Sequence, residues 1–66
     1  IMKKLAKELK KGENIKIAGE ICTIENIEIS EIGKHGKRKV RIEARKPNNE
    51  IIVIIRPEDY PFEPIA

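Results

Sequence analysis

The sequence predicts a mainly β fold, a small SH3-like barrel with a short N-terminal helix. Three observations support this class. The 66 residues suffice for one domain with a thin core. Short stretches of alternating apolar and polar residues are separated by glycine, proline and asparagine. A helical spacing occurs only at the N-terminus. An OB-fold is the nearest alternative, but it would usually need a longer chain and a helix between strands.

The N-terminal helix is predicted from apolar spacing. Met2, Leu5 and Leu9 fall at positions i, i+3 and i+7, which places them on one helical face. Gly12 supplies a C-terminal stop after a cationic last turn. We expect this helix to cover one end of the barrel.

The first two strands are predicted from alternation and a turn. Residues 14–17 alternate, with Ile15 and Ile17 inward, and Ala18 with Gly19 forms a turn into the next strand.

The second strand changes its alternation along its length. Cys22 and Ile24 share one parity, whereas Ile27 has the opposite parity. A bulge near Glu25 and Asn26 would reconcile the two halves, as in strands that bend around small barrels.

The later strands follow the same rules. Alternation directs three side chains inward, namely Val40, Ile42 and Ala44. Residues 47–49 break the strand. Residues 51–55 are apolar on both faces, so this strand is either central or covered by the helix or by another copy. The predicted barrel spans residues 1–56, and the proline-rich residues 57–66 are expected to be an extended tail or linker.

The composition argues against catalysis and membrane insertion. The chain has one histidine, one cysteine, one serine and one threonine, too few for most active sites, so we expect no enzyme, cofactor or metal site. The single cysteine, Cys22, is expected to be buried, and the lack of disulfides favours a reducing, cytoplasmic location. No apolar run reaches transmembrane length.

Charge is segregated along the chain. Residues 1–11 carry five lysines and one glutamate (+4), and residues 33–46 carry seven basic residues and one glutamate (+6). The net charge is +3, so the remainder carries −7. The first block is most simply a solvated face. The second begins at a glycine-flanked turn, and a partner bearing phosphates would complement it.

That turn is the candidate functional feature. Gly33 and Gly36 bracket Lys34 and His35 between two strands, and glycine permits the positive φ angles of tight turns. We therefore expect Lys34 at the tip of a hairpin. An isolated tip lysine is ordinarily a solubilising charge.

Four segments give the turn a family context: residues 9–12, 15–17, 19–22 and 33–36. Together they resemble the N-terminal domain of translation initiation factor 5A, which has a translation-protein type of SH3-like barrel. The related bacterial elongation factor P has a similar barrel but lacks the histidine after its lysine, so the chain looks closer to the archaeal and eukaryotic branch. The family also has a C-terminal OB-fold domain that this sequence lacks, so we expect either a domain fragment or a stand-alone relative.

The resemblance implies a role for each loop residue. Lys34 matches the lysine that deoxyhypusine synthase modifies to hypusine with an aminobutyl group from spermidine, and Gly33, His35 and Gly36 match the loop recognised by that enzyme. The family binds the ribosome and extends this side chain toward peptidyl-tRNA. For RNA contacts beside Lys34, we expect the flanking cations Lys37, Arg38, Lys39 and Arg41.

Two other functions remain open. The barrel could bind RNA with an unmodified basic hairpin, or it could be a protein-interaction module. Peptide grooves of SH3 domains are lined by aromatic residues, and the chain has only Tyr60 and Phe62, so RNA ranks above a peptide.

Overall fold

Six strands and one helical turn make up the described part of the chain. The computed structural model describes residues 3–30 and 38–65. The strands are β1 (Lys4–Leu5), β2 (Asn14–Ile17), β3 (Glu20–Ser30), β4 (Lys39–Arg45), β5 (Ile51–Pro57) and β6 (Pro61–Ile65). They form one sheet in the order β1-β6-β2-β3-β4-β5, and every pairing is antiparallel. The predicted mainly β class is confirmed.

One hydrophobic core lies on the inner face of the sheet. The three inward residues predicted in β4 are fully buried, and Cys22 and Ile24 of β3 lie beside them. The remaining buried residues are Ala6, Leu9, Ile15 and Phe62. No polar or charged residue is buried among the described ones, so the core is held by apolar packing alone.

The predicted bulge in β3 is confirmed. The register with β4 shifts between Ile24 and Asn26, which leaves Glu25 as the extra residue. Ile24 pairs with Ala44 and Ile27 with Ile42, so both halves of β3 point their isoleucines toward the core. Without the extra residue, one half would turn its isoleucines to solvent.

The prediction of an N-terminal α-helix is wrong. The described segment contains only a single 3-10 turn, Ala6–Glu8, which follows β1. Its backbone bonds mainly to the turn between β5 and β6: the N–H groups of Ala6 and Lys7 donate to the carbonyl oxygens of Tyr60 (2.9 Å) and Glu58 (3.0 Å), and the N–H of Leu9 donates to the carbonyl oxygen of Ala6 (3.3 Å). These bonds hold the segment in place without a helix. A short isolated helix would first have to form an unfavourable first turn. The segment still covers the core.

The turns follow the sequence prediction. Ala18 and Gly19 both have positive φ angles, 52° and 82°, and they connect β2 to β3 with a two-residue turn. Residues 47–49 separate β4 from β5, and the Asn48 side chain accepts a hydrogen bond from the N–H of Glu50 at 3.0 Å.

The C-terminal segment differs from the expected tail or linker. Residues 61–65 are extended, but as β6, which pairs with β1 on one side and with β2 on the other. Phe62 is buried and packs with Tyr60 at a ring-centroid distance of 4.9 Å. Pro61 pairs with β1 only and Pro64 with β2 only, so each proline has one strand neighbour and the ladder tolerates its missing N–H.

For β5, two of the three predicted arrangements are wrong, and coverage by another copy stays a prediction. β5 lies at the end of the strand order, no helix of the described residues covers it, and its outer side chains are about half exposed. Its inner side chains, Ile52 and Ile54, pack partly against the core.

The position of Phe62 yields a test of the integration of β6. We expect Phe62→Ala to lower the free energy of unfolding by about 3–5 kcal/mol, because it removes a large buried ring and leaves a cavity. Urea unfolding followed by circular dichroism measures this loss. The control Ile21→Ala, at a half-exposed position of β3, should cost about 1 kcal/mol or less. A similarly small loss for Phe62→Ala would show that β6 contributes little to the core.

Candidate nucleic-acid interface

The β3–β4 pairing fixes the base of the candidate loop. Ser30, the last residue of β3, pairs with Lys39, the first residue of β4. The end of β3 and the start of β4 therefore lie side by side at one end of the barrel. The predicted tip residues Gly33, Lys34, His35 and Gly36, together with Lys37, lie outside the described residues.

Arg38 is fixed at the base of this loop by an ion pair. Its Nε donates to Oε1 of Glu58 at 2.8 Å, and the backbone N–H of Glu58 donates to the carbonyl oxygen of Arg38 at 2.9 Å. The hydrogen bond from Arg38 lowers the pKa of the Glu58 carboxyl below its ordinary value. The turn between β5 and β6 thus orients one of the predicted RNA-binding cations.

Arg41 is oriented by carboxylates on the outer face of the sheet. Its Nη1 donates to Oε2 of Glu43, two residues along the same strand, and Glu28 lies opposite it on β3. The hydrogen bond to Glu43, followed by the charges of Glu43 and Glu28, raises the pKa of Arg41. Arg41 therefore remains a fixed cation, with part of its charge offset by its neighbours.

Lys39 differs from these two arginines. It is exposed, and none of the described carboxylates forms an ion pair with it. It lines a surface groove of about 660 Å³ beside the loop base. The groove is lined by Ile29 and Ile55 and by four polar residues, namely Glu28, Ser30, Lys39 and Arg41. The cations of such a surface can contact phosphates, and its apolar atoms can contact a sugar.

The other basic residues of the second charge block lie farther along the sheet. Arg45 pairs with Glu25 across β3 at 2.9 Å. Lys46 lies 3.7 Å from Glu20 and 3.6 Å from Glu50. In the sequence these residues belong to one block with a charge of +6. In the structure, Arg45 and Lys46 at the C-terminal end of that block pair with carboxylates. The cations available to a ligand are concentrated at the loop end.

The sequence predicted neither that Ile29 lines the groove nor that Glu58 pairs with Arg38. Ile29 has the parity of an inward side chain, but it lies near the end of the strand, where the core no longer covers it. Glu58 is 20 residues from its partner Arg38. No local pattern signals a contact at that separation.

The thiol of Cys22 is the next reactive group among the described residues. Cys22 is buried, its Sγ lies 3.8 Å from the carbonyl oxygen of Glu20, and burial raises the pKa of the thiol. A buried thiol with a raised pKa is a poor nucleophile. Residues 3–30 and 38–65 contain no cluster of side chains suited to a metal ion, and no helix long and apolar enough to cross a membrane.

The fold and the loop base define a class of protein: a small antiparallel barrel that carries a basic hairpin at one end. Comparison with curated proteins then supplies a particular relationship. The chain is 57% identical over 37 residues to translation initiation factor 5A of Thermococcus onnurineus, a match that covers 56% of this chain and 27% of the relative. The factor of Methanosarcina barkeri is 50% identical over 38 residues, or 58% of this chain and 30% of that protein.

A solved structure extends the similarity to nearly the whole chain. A translation initiation factor eIF-5A family protein from Naegleria fowleri superposes with a TM-score of 0.84 at 26% identity, covering 97% of this chain and 46% of that one. No family model matches. The chain is therefore a homologue of translation initiation factor 5A in its N-terminal part and shares the fold almost throughout. It spans less than half the length of these relatives.

The Arg38–Glu58 pair makes stability depend on pH. The folded-state pKa of Glu58 lies below the ordinary value of 4.5, so the pair stabilises the fold above that pH and its contribution disappears as the pH falls through the folded-state pKa. We expect Glu58→Gln to unfold more easily than the parent at neutral pH. At a pH well below the folded-state pKa the two should be nearly equal, since the parent carboxyl is then protonated.

Urea unfolding at both pH values measures this difference. The control is Glu63→Gln, because Glu63 forms no ion pair with any described residue. A difference between Glu58→Gln and the parent that persists undiminished in acid would show that the carboxylate charge is not the source.

Proposed function

We propose that this chain is a translation-factor domain that binds ribosomal or transfer RNA through the end of its β3–β4 hairpin. One structural observation supports the proposal: Ser30 at the end of β3 pairs with Lys39 at the start of β4, so the segment with the Gly-Lys-His-Gly motif connects the ends of two paired strands. The similarity to translation initiation factor 5A supports a role in translation. This is a binding role without a catalytic step, in the cytoplasm.

The base of the hairpin would position the domain on the RNA backbone. Lys39 is exposed and unpaired among the described residues, and it stands next to the aliphatic groove. Arg38 and Arg41 each donate a guanidinium hydrogen bond to a glutamate, which orients them at this end of the barrel. Guanidinium groups pair well with phosphate oxygens. Such contacts position a protein without reading base sequence. Lys37 would add a fourth cation to this set.

Lys34 would be the residue that reaches farthest into the binding site. By the family resemblance, deoxyhypusine synthase would add an aminobutyl group to its Nζ, and Gly33, His35 and Gly36 would form the loop that this enzyme recognises. The lengthened side chain would carry two separated cations and additional N–H donors. Two cations on one flexible stem can contact successive phosphates of an RNA chain.

An unmodified RNA-binding barrel is the second candidate. The groove and its cations favour it, because Lys39 and Arg41 are in place whatever happens at Lys34. A peptide-binding module has less support. The two aromatic residues of the chain, Tyr60 and Phe62, do not line the groove, and the apolar residues that line it are isoleucines.

Substitution of Lys39 tests the interface. We expect Lys39→Gln to weaken binding to purified ribosomes and to reduce the slope of log affinity against log salt concentration by about 1, because one phosphate contact is lost. Fluorescence anisotropy over a salt series measures both quantities. The control is Lys16→Gln, which removes an exposed lysine from β2 and should leave affinity and slope unchanged. Equal losses in the two variants would indicate a general charge effect and contradict the assignment of the interface.

A further inference from the structure

β5 presents an unusual edge. It is a seven-residue strand at the end of the sheet, and its outer side chains are apolar: Ile51, Val53 and Ile55 are 48%, 48% and 55% exposed. Exposed edge strands normally carry charge, proline or a covering segment, because an uncovered edge pairs with other chains. The other end of the sheet is β1, with only two residues. β5 therefore offers a much longer edge for pairing than β1 does.

The backbone of β5 is also arranged for pairing. At the two ends of the β4–β5 ladder, the N–H of Lys46 donates to the carbonyl of Glu50, and the N–H of Glu58 donates to the carbonyl of Arg38. Hydrogen-bonded pairs alternate along an antiparallel ladder, so the even-numbered residues of β5 bond to β4. The odd-numbered residues direct their N–H and C=O groups away from the sheet. One of these, the carbonyl of Ile55, accepts a hydrogen bond from Nη1 of Arg56 at 2.8 Å.

We propose that two copies of this protein associate through β5, antiparallel, about a two-fold axis at Val53. The segment Ile-Ile-Val-Ile-Ile over residues 51–55 reads the same in both directions. In this register Val53 faces Val53 of the second copy, and Ile51 faces Ile55 of the second copy. The outward backbone groups of the odd-numbered residues then meet one another, and six apolar side chains form one continuous face. In this pairing the Ile55 carbonyl exchanges its hydrogen bond from Arg56 for one from the N–H of Ile51 of the second copy.

Charge complementarity selects the same register. Glu50 lies three residues before Val53 and Arg56 three residues after it, so each Glu50 faces Arg56 of the other copy. The Glu50 side chain is 66% exposed. Arg56 lies over the Tyr60 ring with its guanidinium carbon 5.4 Å from the ring centre.

The neighbouring registers that preserve the hydrogen bonding are worse. A shift of two residues in one direction places Glu50 opposite Ile54. The opposite shift places Glu50 against Glu58, a like-charge pair.

The association would close at two copies. A two-fold contact uses the same surface on both partners, so pairing consumes the long edge of each sheet. The outer edges of the paired sheet are the two-residue β1 strands, which offer little for further addition. The inference is argued from β5 and does not rest on the RNA-binding proposal, but Ile55 belongs to both surfaces, so self-association is measured without RNA.

Molar mass measured by light scattering over a concentration series tests the association. We expect a transition from one to two chain masses with rising concentration. Val53→Lys should abolish it, because two like charges would face each other at the axis. The control Ile21→Lys also adds a lysine at a half-exposed isoleucine, but on β3 away from the edge, and should still associate. A monomer at every concentration, or species that grow beyond two chains, would overturn the proposal.

A charge exchange tests the register. Glu50→Arg alone and Arg56→Glu alone should each weaken self-association about tenfold, since each creates two like-charge pairs. A mixture of the two variants should recover association, because every Arg then faces a Glu. Failure of the mixture to recover, while both variants stay folded by circular dichroism, would contradict the register. If the edge is instead covered by a different protein segment, none of these variants would change the molar mass.

Discussion

The pairing of β3 with β4 is the constraint on which the other features depend. The bulge at Glu25 lets both halves of β3 direct isoleucines to the core while the ladder continues to Ser30. Because the ladder continues, Ser30 pairs with Lys39 at the end of the two strands. β4 in turn supplies three fully buried side chains and holds β5 along its other side. The packing of the core, the pairing of Ser30 with Lys39 and the position of β5 therefore all depend on the same strand register.

Charge in this protein is organised by carboxylates on neighbouring elements. Glu58 orients Arg38, Glu43 orients Arg41, and the groove cation Lys39 is left exposed. Exposed ion pairs contribute little to stability, about 0–1 kcal/mol each. Their more important effect here is geometric, since they hold guanidinium groups in place before a ligand arrives. A prepositioned cation loses less conformational entropy on binding.

Much of the sheet follows from residue parity, which records which face each side chain occupies. Parity predicted the inward residues of β4 and the bulge in β3, because a buried face leaves few registers that satisfy it. The N-terminal segment was mispredicted since its apolar spacing suits a helix, yet its N–H groups bond to carbonyls some 50 residues away. β6 was mispredicted because its prolines suggest a linker. Each proline is accommodated where β6 has a strand on one side only.

Whether Lys34 carries a modification is decided by the intact mass of the protein from its native source. Peptide fragmentation across residues 31–39 would locate any added group. We expect an aminobutyl group on Lys34, with or without a hydroxyl, because the proposed function has Lys34 reach RNA as a modified residue. An unmodified Lys34, or the same group on a different lysine, would rule out that role and leave the barrel as a plain RNA-binding domain.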